Sequence, residues 1–189
     1  MVTRTNGTAP LDLAWRAEVG KASGQPVELC YQCQKCAAGC LSLSYADYTP
    51  NQVLRMVALG LRDRVLKSKA IWLCSGCLTC TTRCPNGIDI ARVMDTLRQM
   101  AAQNGASRGN PVHRFHTMFV NNIRGRGRVN ETFLLGRYEL ATGRVWRELG
   151  RGFALFRKGK MPVFAHAVRR KDEVRRIFAR AQERGGGAE

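Results

Sequence analysis

"CSGCLTCTTRCP", Cys74–Pro85, sets four cysteines with two, two and three residues between them. Forty-four residues earlier the chain writes the same spacing as "CYQCQKCAAGC", Cys30–Cys40. The two runs together use all eight cysteines of the 189-residue chain. Three cysteines at such short intervals can wrap one metal site, because each two-residue loop turns back and presents its sulfur inward. Backbone N–H groups of the same loops can hydrogen-bond to the sulfurs and stabilise their negative charge. The small residues Ser75, Gly76, Ala37, Ala38 and Gly39 allow close backbone approach. The fourth cysteine, three residues on, is displaced and can face the other way.

In two-cluster ferredoxins this fourth cysteine ligates the other cluster, and a proline follows it. That pattern assigns Cys30, Cys33, Cys36 and Cys84 to one [4Fe–4S] cluster, and Cys74, Cys77, Cys80 and Cys40 to the other. One departure is visible: Cys84 precedes Pro85, but Cys40 precedes Leu41. The ligand stays in place, and only the local turn is affected. The rival reading is a pair of structural zinc sites, since four thiolates also suit zinc. Zinc sites usually pair two C-x-x-C elements, however, whereas here three cysteines are packed tightly and the fourth is offset, twice. The expectation is therefore iron–sulfur.

What surrounds the runs reads as helix. In "TPNQVLRMVALGLRDRVLKS" Thr49 can cap and Pro50 suits the first helical position, with Val53, Leu54, Val57, Ala58 and Leu61 on one face. Gly60 is expected to interrupt this helix and start another around Arg62. "GIDIARVMDTLRQMAAQNG" follows the second run, placing Ile90, Val93, Met94, Leu97, Met100 and Ala101 at helical spacing and stopping at Asn104–Gly105. Further helical pieces are predicted near Val112–Ile123, Glu131–Thr142 and Val145–Phe156, separated by turns such as "RGRGR", Arg124–Arg128. "FRKGKMP" breaks the pattern, and "KDEVRRIFARAQER" closes it as a basic helix before a frayed "GGGAE". Strand signals are nearly absent, so the fold class is all-α. The predicted division is a loosely held N-terminal arm over 1–25, with a helical turn or two around Leu11, Leu13 and Trp15. A cluster domain follows over 26–107, and a basic helical extension over 108–189.

The formal charge of +17 is uneven. Residues 1–107 carry 12 basic and 7 acidic side chains, a net +5; residues 108–189 carry 19 and 7, a net +12. Such a balance admits nucleic acid, an anionic membrane surface or an acidic protein partner. No stretch approaches the roughly 18–20 apolar residues of a membrane span. Asp12, Arg16 and Glu18 stand where a signal peptide would be apolar. A cytoplasmic location is expected, where cysteines stay reduced and serve metal rather than disulfides.

A minimal bacterial ferredoxin keeps its motifs closer than the 33 residues separating Cys40 from Cys74, and is built around hairpins. Here the interval is helical. In this the sequence resembles the α-helical ferredoxin domain, and within that group the C subunit of heterodisulfide reductases. The resemblance is carried by both cysteine runs, by "WLCSGCLTCTTRCPNGIDI", by "GRVNETFLLGRYEL" and by "KGKMP" with "EVRRIF", and it covers most of residues 25–180. It implies an α-helical ferredoxin domain holding two [4Fe–4S] clusters, plus a helical C-terminal extension. It also implies an electron-transfer role in an oxidoreductase acting on sulfur groups, between a flavin iron–sulfur A subunit and a cysteine-rich B subunit.

Absent motifs narrow the role. No Cys-Cys pair marks the disulfide-cleaving modules of the B subunit, no G-x-G-x-x-G marks a dinucleotide fold, and no C-x4-C-x2-C set marks a [2Fe–2S] domain. The expected chain is a wire, with the substrate site on another subunit. The excess of arginine, 24 against 7 lysines, leans toward the bacterial sulfur-oxidising type of complex. The rival functions are a free ferredoxin shuttle, which does not need a long helical tail, and a cluster-bearing nucleic-acid binder, whose reading motifs are missing. The tail is instead expected to dock the partner subunits through its arginines and through Phe133, Leu134 and Leu140. His113, His116 and His166 carry no carboxylate–histidine pattern, and Met94, Met100 and Met118 read as core filling. Ile71 and Trp72 are expected to shield a cluster from water.

Overall fold

The structure is a computed structural model that describes residues 11–107, 109–143, 150, 157–159 and 168–185. The helix expected over Val145–Phe156 lies outside the described residues but for residue 150. So do His166, most of the "KGKMP" stretch and residues 1–10 of the arm. The chain divides into two compact units, Met1–Arg108 and Gly109–Glu189. Among the described residues there is helix and turn but no strand, and no helix long and apolar enough to cross a membrane.

The first unit opens with α1 (Leu13–Ser23), a full helix where the sequence suggests a loose arm. Asp12 caps it by accepting the Trp15 N–H at 2.8 Å, and Gly24 ends it in the left-handed conformation. Trp15, Val19 and Ser23 recur every fourth residue and are buried. Such a narrow stripe leaves the segment polar overall, yet it suffices to seat the helix against the two longest of the unit's other helices.

Those are α2 (Pro50–Ala58) and α6 (Ile90–Gln103). Thr49 and Gln52 form a reciprocal capping box at the start of α2, with Pro50 in the first turn as its sequence implies. Val53, Leu54 and Val57 are fully buried, and each such burial contributes about 1.5–3 kcal/mol. Asp89 caps α6 by accepting the Arg92 N–H, and the helix buries Ile90, Val93, Met94, Leu97, Met100 and Ala101 before ending at Asn104. Between them stand α3 (Arg62–Leu66), α4 (Ala70–Leu73) and α5 (Thr79–Thr82). Gly60 has φ +69°, and a Cβ there would collide with the backbone of Asp12. The Gly60 carbonyl accepts the Asp12 N–H at 3.0 Å, so the end of α2 abuts the start of α1 where a side chain cannot fit.

Each cysteine run is thus entered from a short helical turn and left by a longer helix. The 3-10 turn Val27–Leu29 leads into Cys30 and α2 follows; α4 leads into Cys74 and α6 follows.

The second unit contains α7 (Pro111–Arg126), α8 (Glu131–Thr142) and α9 (Lys171–Gly185). The "RGRGR" stretch reads as a turn in sequence, but α7 continues to Arg126 and stops at Gly127. Arg124 and Arg126 suit the negative end of the helix dipole, and their guanidinium groups lie 5.3 Å and 4.8 Å from the ring centres of Phe178 and Phe133. These interactions offset the helix cost of Gly125, about 1 kcal/mol. Asn122 and Asn130 are buried and close the α7–α8 turn, the Asn130 N–H donating to Asn122 Oδ1 at 3.0 Å. Phe115 and Tyr138 pack edge to face at 5.5 Å. Leu134, expected on a docking surface, is buried in this unit's own core, whereas Phe133 and Leu140 are exposed.

Candidate metal centres

The backbone of the two cysteine runs repeats as closely as their sequence does. Left-handed residues occur two positions after the first cysteine, at Gln32 (φ 57°) and Gly76 (φ 66°). They occur again one position after the second, at Gln34 (φ 62°) and Leu78 (φ 61°). For a non-glycine residue this conformation costs about 1–2 kcal/mol. Two such residues in the first run and one in the second mark loops held by their surroundings. Backbone N–H groups donate to sulfur in both runs, from Ala37 to Cys36, from Thr79 to Cys77 and from Thr81 to Cys80, and such donors suit anionic thiolates and iron–sulfur sites.

Two cavities result. One is lined by Cys30, Cys33, Cys36 and Cys84, with Pro85, Asn51 and Ile90 among its walls. The other is lined by Cys74, Cys77, Cys80 and Cys40, with Leu41, Ala70 and Met94. Each cavity takes three cysteines from one run and the last from the other. Leu41 occupies the place that Pro85 has in the first cavity. Cys33 and Cys77 are exposed, Cys36 is buried, and the rest are half-buried. Among the described residues no group of three or more His, Cys, Asp or Glu side chains could hold a single metal ion. The four sulfurs of each cavity stand around a space rather than on a point.

Side chains that spacing rules do not reveal fasten this arrangement. The Ser42 hydroxyl, two residues after Cys40, donates to the carbonyl of Leu73, just before Cys74, at 2.7 Å. The Asn86 amide, two residues after Cys84, donates to the carbonyl of Leu29, just before Cys30. The two bonds are equivalent under the 44-residue repeat, and each ties the end of one run to the beginning of the other. Asp47 adds a further anchor, accepting the Lys69 and Ala70 N–H groups at 2.8 Å each and so fixing the turn that leads into Cys74. Ser42, Asp47 and Asn86 carry no signal of this role in the sequence. Each lies in a loop, and only the packing of the two runs brings it to its acceptor or donor.

Two expectations change. Ile71 and Trp72 are buried in the helical core, and it is Ala70 of α4 that lines a cavity. Met94 and Met100 are core residues as expected, but Met118 is only half-buried. Neither His113 nor His116 lines a cysteine cavity.

Burial pushes the Cys36 thiol up to about 11, and neighbouring Cys30 adds to the shift. Burial also raises Cys80, helped by Cys74. The Cys77 thiol is lowered, chiefly by the Thr79 hydroxyl 3.4 Å away and then by the Thr79 N–H. Thiolate is the reactive form. Alkylation of cluster-free protein at neutral pH is therefore expected to label Cys77 first and Cys36 last, with the gap narrowing as pH rises and Cys36 ionises. Peptide mapping of a time course checks this, and equal rates at neutral pH would contradict it.

Comparison with known proteins points to two [4Fe–4S] clusters as the cofactor. The 4Fe-4S dicluster domain family matches residues 26–88, a stretch that includes both runs. The iron-sulfur C subunit of CoB–CoM heterodisulfide reductase from Methanopyrus kandleri is 38% identical over 94 residues, 50% of this chain and 48% of that protein. A C subunit of the same enzyme from Methanocaldococcus jannaschii is 41% identical over 92 residues, 49% of each chain. The C subunit of an H2:CoB–CoM heterodisulfide, ferredoxin reductase from Methanothermobacter thermautotrophicus is 31% identical over 110 residues, 58% of each. The chain spans roughly half the length of these curated relatives. About half of it is homologous to C subunits of heterodisulfide reductases, and its eight cysteines are consistent with two [4Fe–4S] clusters.

Proposed function

We propose that this chain is an iron–sulfur electron-transfer subunit, of the C type, in a heterodisulfide-reductase-like complex. It would relay electrons between a flavin iron–sulfur A subunit and a cysteine-rich B subunit. The observation that carries this reading is the pair of four-cysteine cavities that together account for every cysteine in the chain. Cys30, Cys33, Cys36 and Cys84 would hold one [4Fe–4S] cluster; Cys74, Cys77, Cys80 and Cys40 would hold the other. Once bound, such clusters supply one-electron chemistry at a potential set by charge, burial and hydrogen bonds to sulfur.

The chain's own residues do the rest. The N–H groups of Ala37, Thr79 and Thr81 donate to Cys36, Cys77 and Cys80 and stabilise their thiolates. Ile90, Ala91 and Met94 of α6, with Ala70 of α4, keep water from the inner walls. Cys33 and Cys77 reach the surface beside exposed Tyr31 and Leu78, which puts one side of each cavity within reach of a partner. No cysteine is left over for disulfide chemistry, so the sulfur substrate is handled on the B subunit.

The named relatives are archaeal and carry the CoB–CoM heterodisulfide in their names. The arginine-rich composition supports instead the bacterial setting, in which a related complex works in sulfur oxidation. In either setting the role of this chain is the same. An anaerobic assay tests it: the A subunit, reduced beforehand, is mixed with the B subunit in the presence and absence of this protein, and thiol formation is followed. Electrons are expected to reach the B subunit only when this protein is present. An equal rate in its absence would refute the relay.

A further inference from the structure

The two cavities repeat each other in backbone but not in what surrounds the first sulfur of each run. At the position where the second run has Gly76, the first has Gln32. The Gln32 side chain donates through Nε2 to Cys30 Sγ at 3.3 Å and to the Asn51 carbonyl at 3.1 Å. Its Oε1 accepts from Asn51 Nδ2 at 3.2 Å. These partners fix the amide's orientation. Turned over, it would set Oε1 against the Asn51 carbonyl and Nε2 against Nδ2, losing both bonds.

Asn51 is itself oriented. It is buried in the first turn of α2 and lines the cavity of Cys30. Its Oδ1 accepts from the Thr49 hydroxyl at 2.6 Å, and that hydroxyl accepts from the Gln52 N–H of the capping box. Four of these bonds point the same way, from the Gln52 N–H at the N-terminus of α2 through Thr49, Asn51 and Gln32 to one sulfur, while the second Gln32 N–H returns to the Asn51 carbonyl and holds the amide in place. Bonds in such a chain polarise and strengthen one another. The left-handed backbone at Gln32 is the strain at which that side chain reaches the sulfur.

We propose that Gln32, positioned by Asn51, tunes the cluster held by the first run and makes it unlike the cluster held by the second. A donor on a ligand sulfur stabilises the more negative, reduced form, so this chain of bonds raises the potential of the Cys30 cluster. Gly76 offers Cys74 no such donor; the side-chain contacts of the second run fall on other sulfurs, Ser75 and Thr79 at Cys77 and Thr81 at Cys80, so the two clusters differ in which sulfur carries the amide donor. The proposal rests on the cluster reading given above.

The test is an anaerobic potentiometric titration of the full-length protein, followed by electron paramagnetic resonance, with iron content measured in parallel. Gln32→Leu fills the same space without a donor. It is expected to move one reduction wave to lower potential by about tenfold in the equilibrium constant, about 59 mV for one electron, and to leave the other in place. Asn51→Leu, which removes no donor from the sulfur, is expected to move the same wave in the same direction by releasing the amide. If both clusters are present and neither wave moves, or both move together, the tuning role is wrong. If Gln32→Leu and Gln32→Gly both lose a cluster, Gln32 is a structural residue and the proposal also fails. A wild-type protein without clusters would instead overturn the underlying functional reading.

Discussion

Cys40→Ser is expected to empty the cavity of the second cysteine run, although Cys40 belongs to the first. Iron should fall from about eight to about four per chain, with the same fall in sulfide, as loss of one four-iron cluster requires. Cys84→Ser should do the converse and spare the cavity of its own run. The reason is geometric: Cys40 lines the space enclosed by Cys74, Cys77 and Cys80, while Cys84 lines that of Cys30, Cys33 and Cys36. The Ser42–Leu73 and Asn86–Leu29 bonds hold each fourth cysteine against the opposite run. A serine hydroxyl ionises far less readily than a thiol and does not replace the soft thiolate that iron–sulfur sites select. Spectra of the two variants, each with one cluster left, identify the survivor. If each substitution harmed only the cluster of its own run, the crossed assignment would be wrong.

Truncation after Arg108 is expected to leave both clusters in place and to weaken association with the partner subunits by on the order of a hundredfold or more. All eight cysteines lie in the unit Met1–Arg108, which has its own buried core. The cut must lie beyond Ser107, because that residue is buried and its N–H donates to the Ala101 carbonyl at 3.3 Å. The part removed carries most of the positive charge and exposes Phe133, Leu135, Leu140 and Ile177. Apolar side chains of this kind supply buried area at an interface, and the arginines supply orientation toward acidic surface. Leu134 takes no part in this, being buried already. Co-purification of the truncated protein with undiminished A and B subunits would remove the docking role from the tail.

Helix content and the two cysteine loops were legible in the sequence because both depend on short-range spacing. Thr49–Pro50 announces the start of α2, Asn104–Gly105 announces the end of α6, and the cysteine intervals announce the loops. What escaped depends on contacts between distant segments. The stripe Trp15–Val19–Ser23 is too thin to register as amphipathic, and only the α2 and α6 surfaces that receive it make α1 a full helix. Gly60 separates α2 from α3, which starts at Arg62 as the sequence implies, but that its bare Cα also admits the backbone of Asp12 is visible only in the fold. Gln32 and Asn51 are ordinary polar residues 19 positions apart until the fold brings their amides together. The extension of α7 through "RGR" likewise depends on Phe133 and Phe178, which lie outside its own sequence.

The central claim is that these cavities hold two four-iron clusters rather than two zinc ions, and elemental analysis tests it most directly. Protein purified without oxygen is expected to contain about eight iron atoms and about eight acid-labile sulfides per chain. About two zinc ions per chain with no sulfide would contradict it.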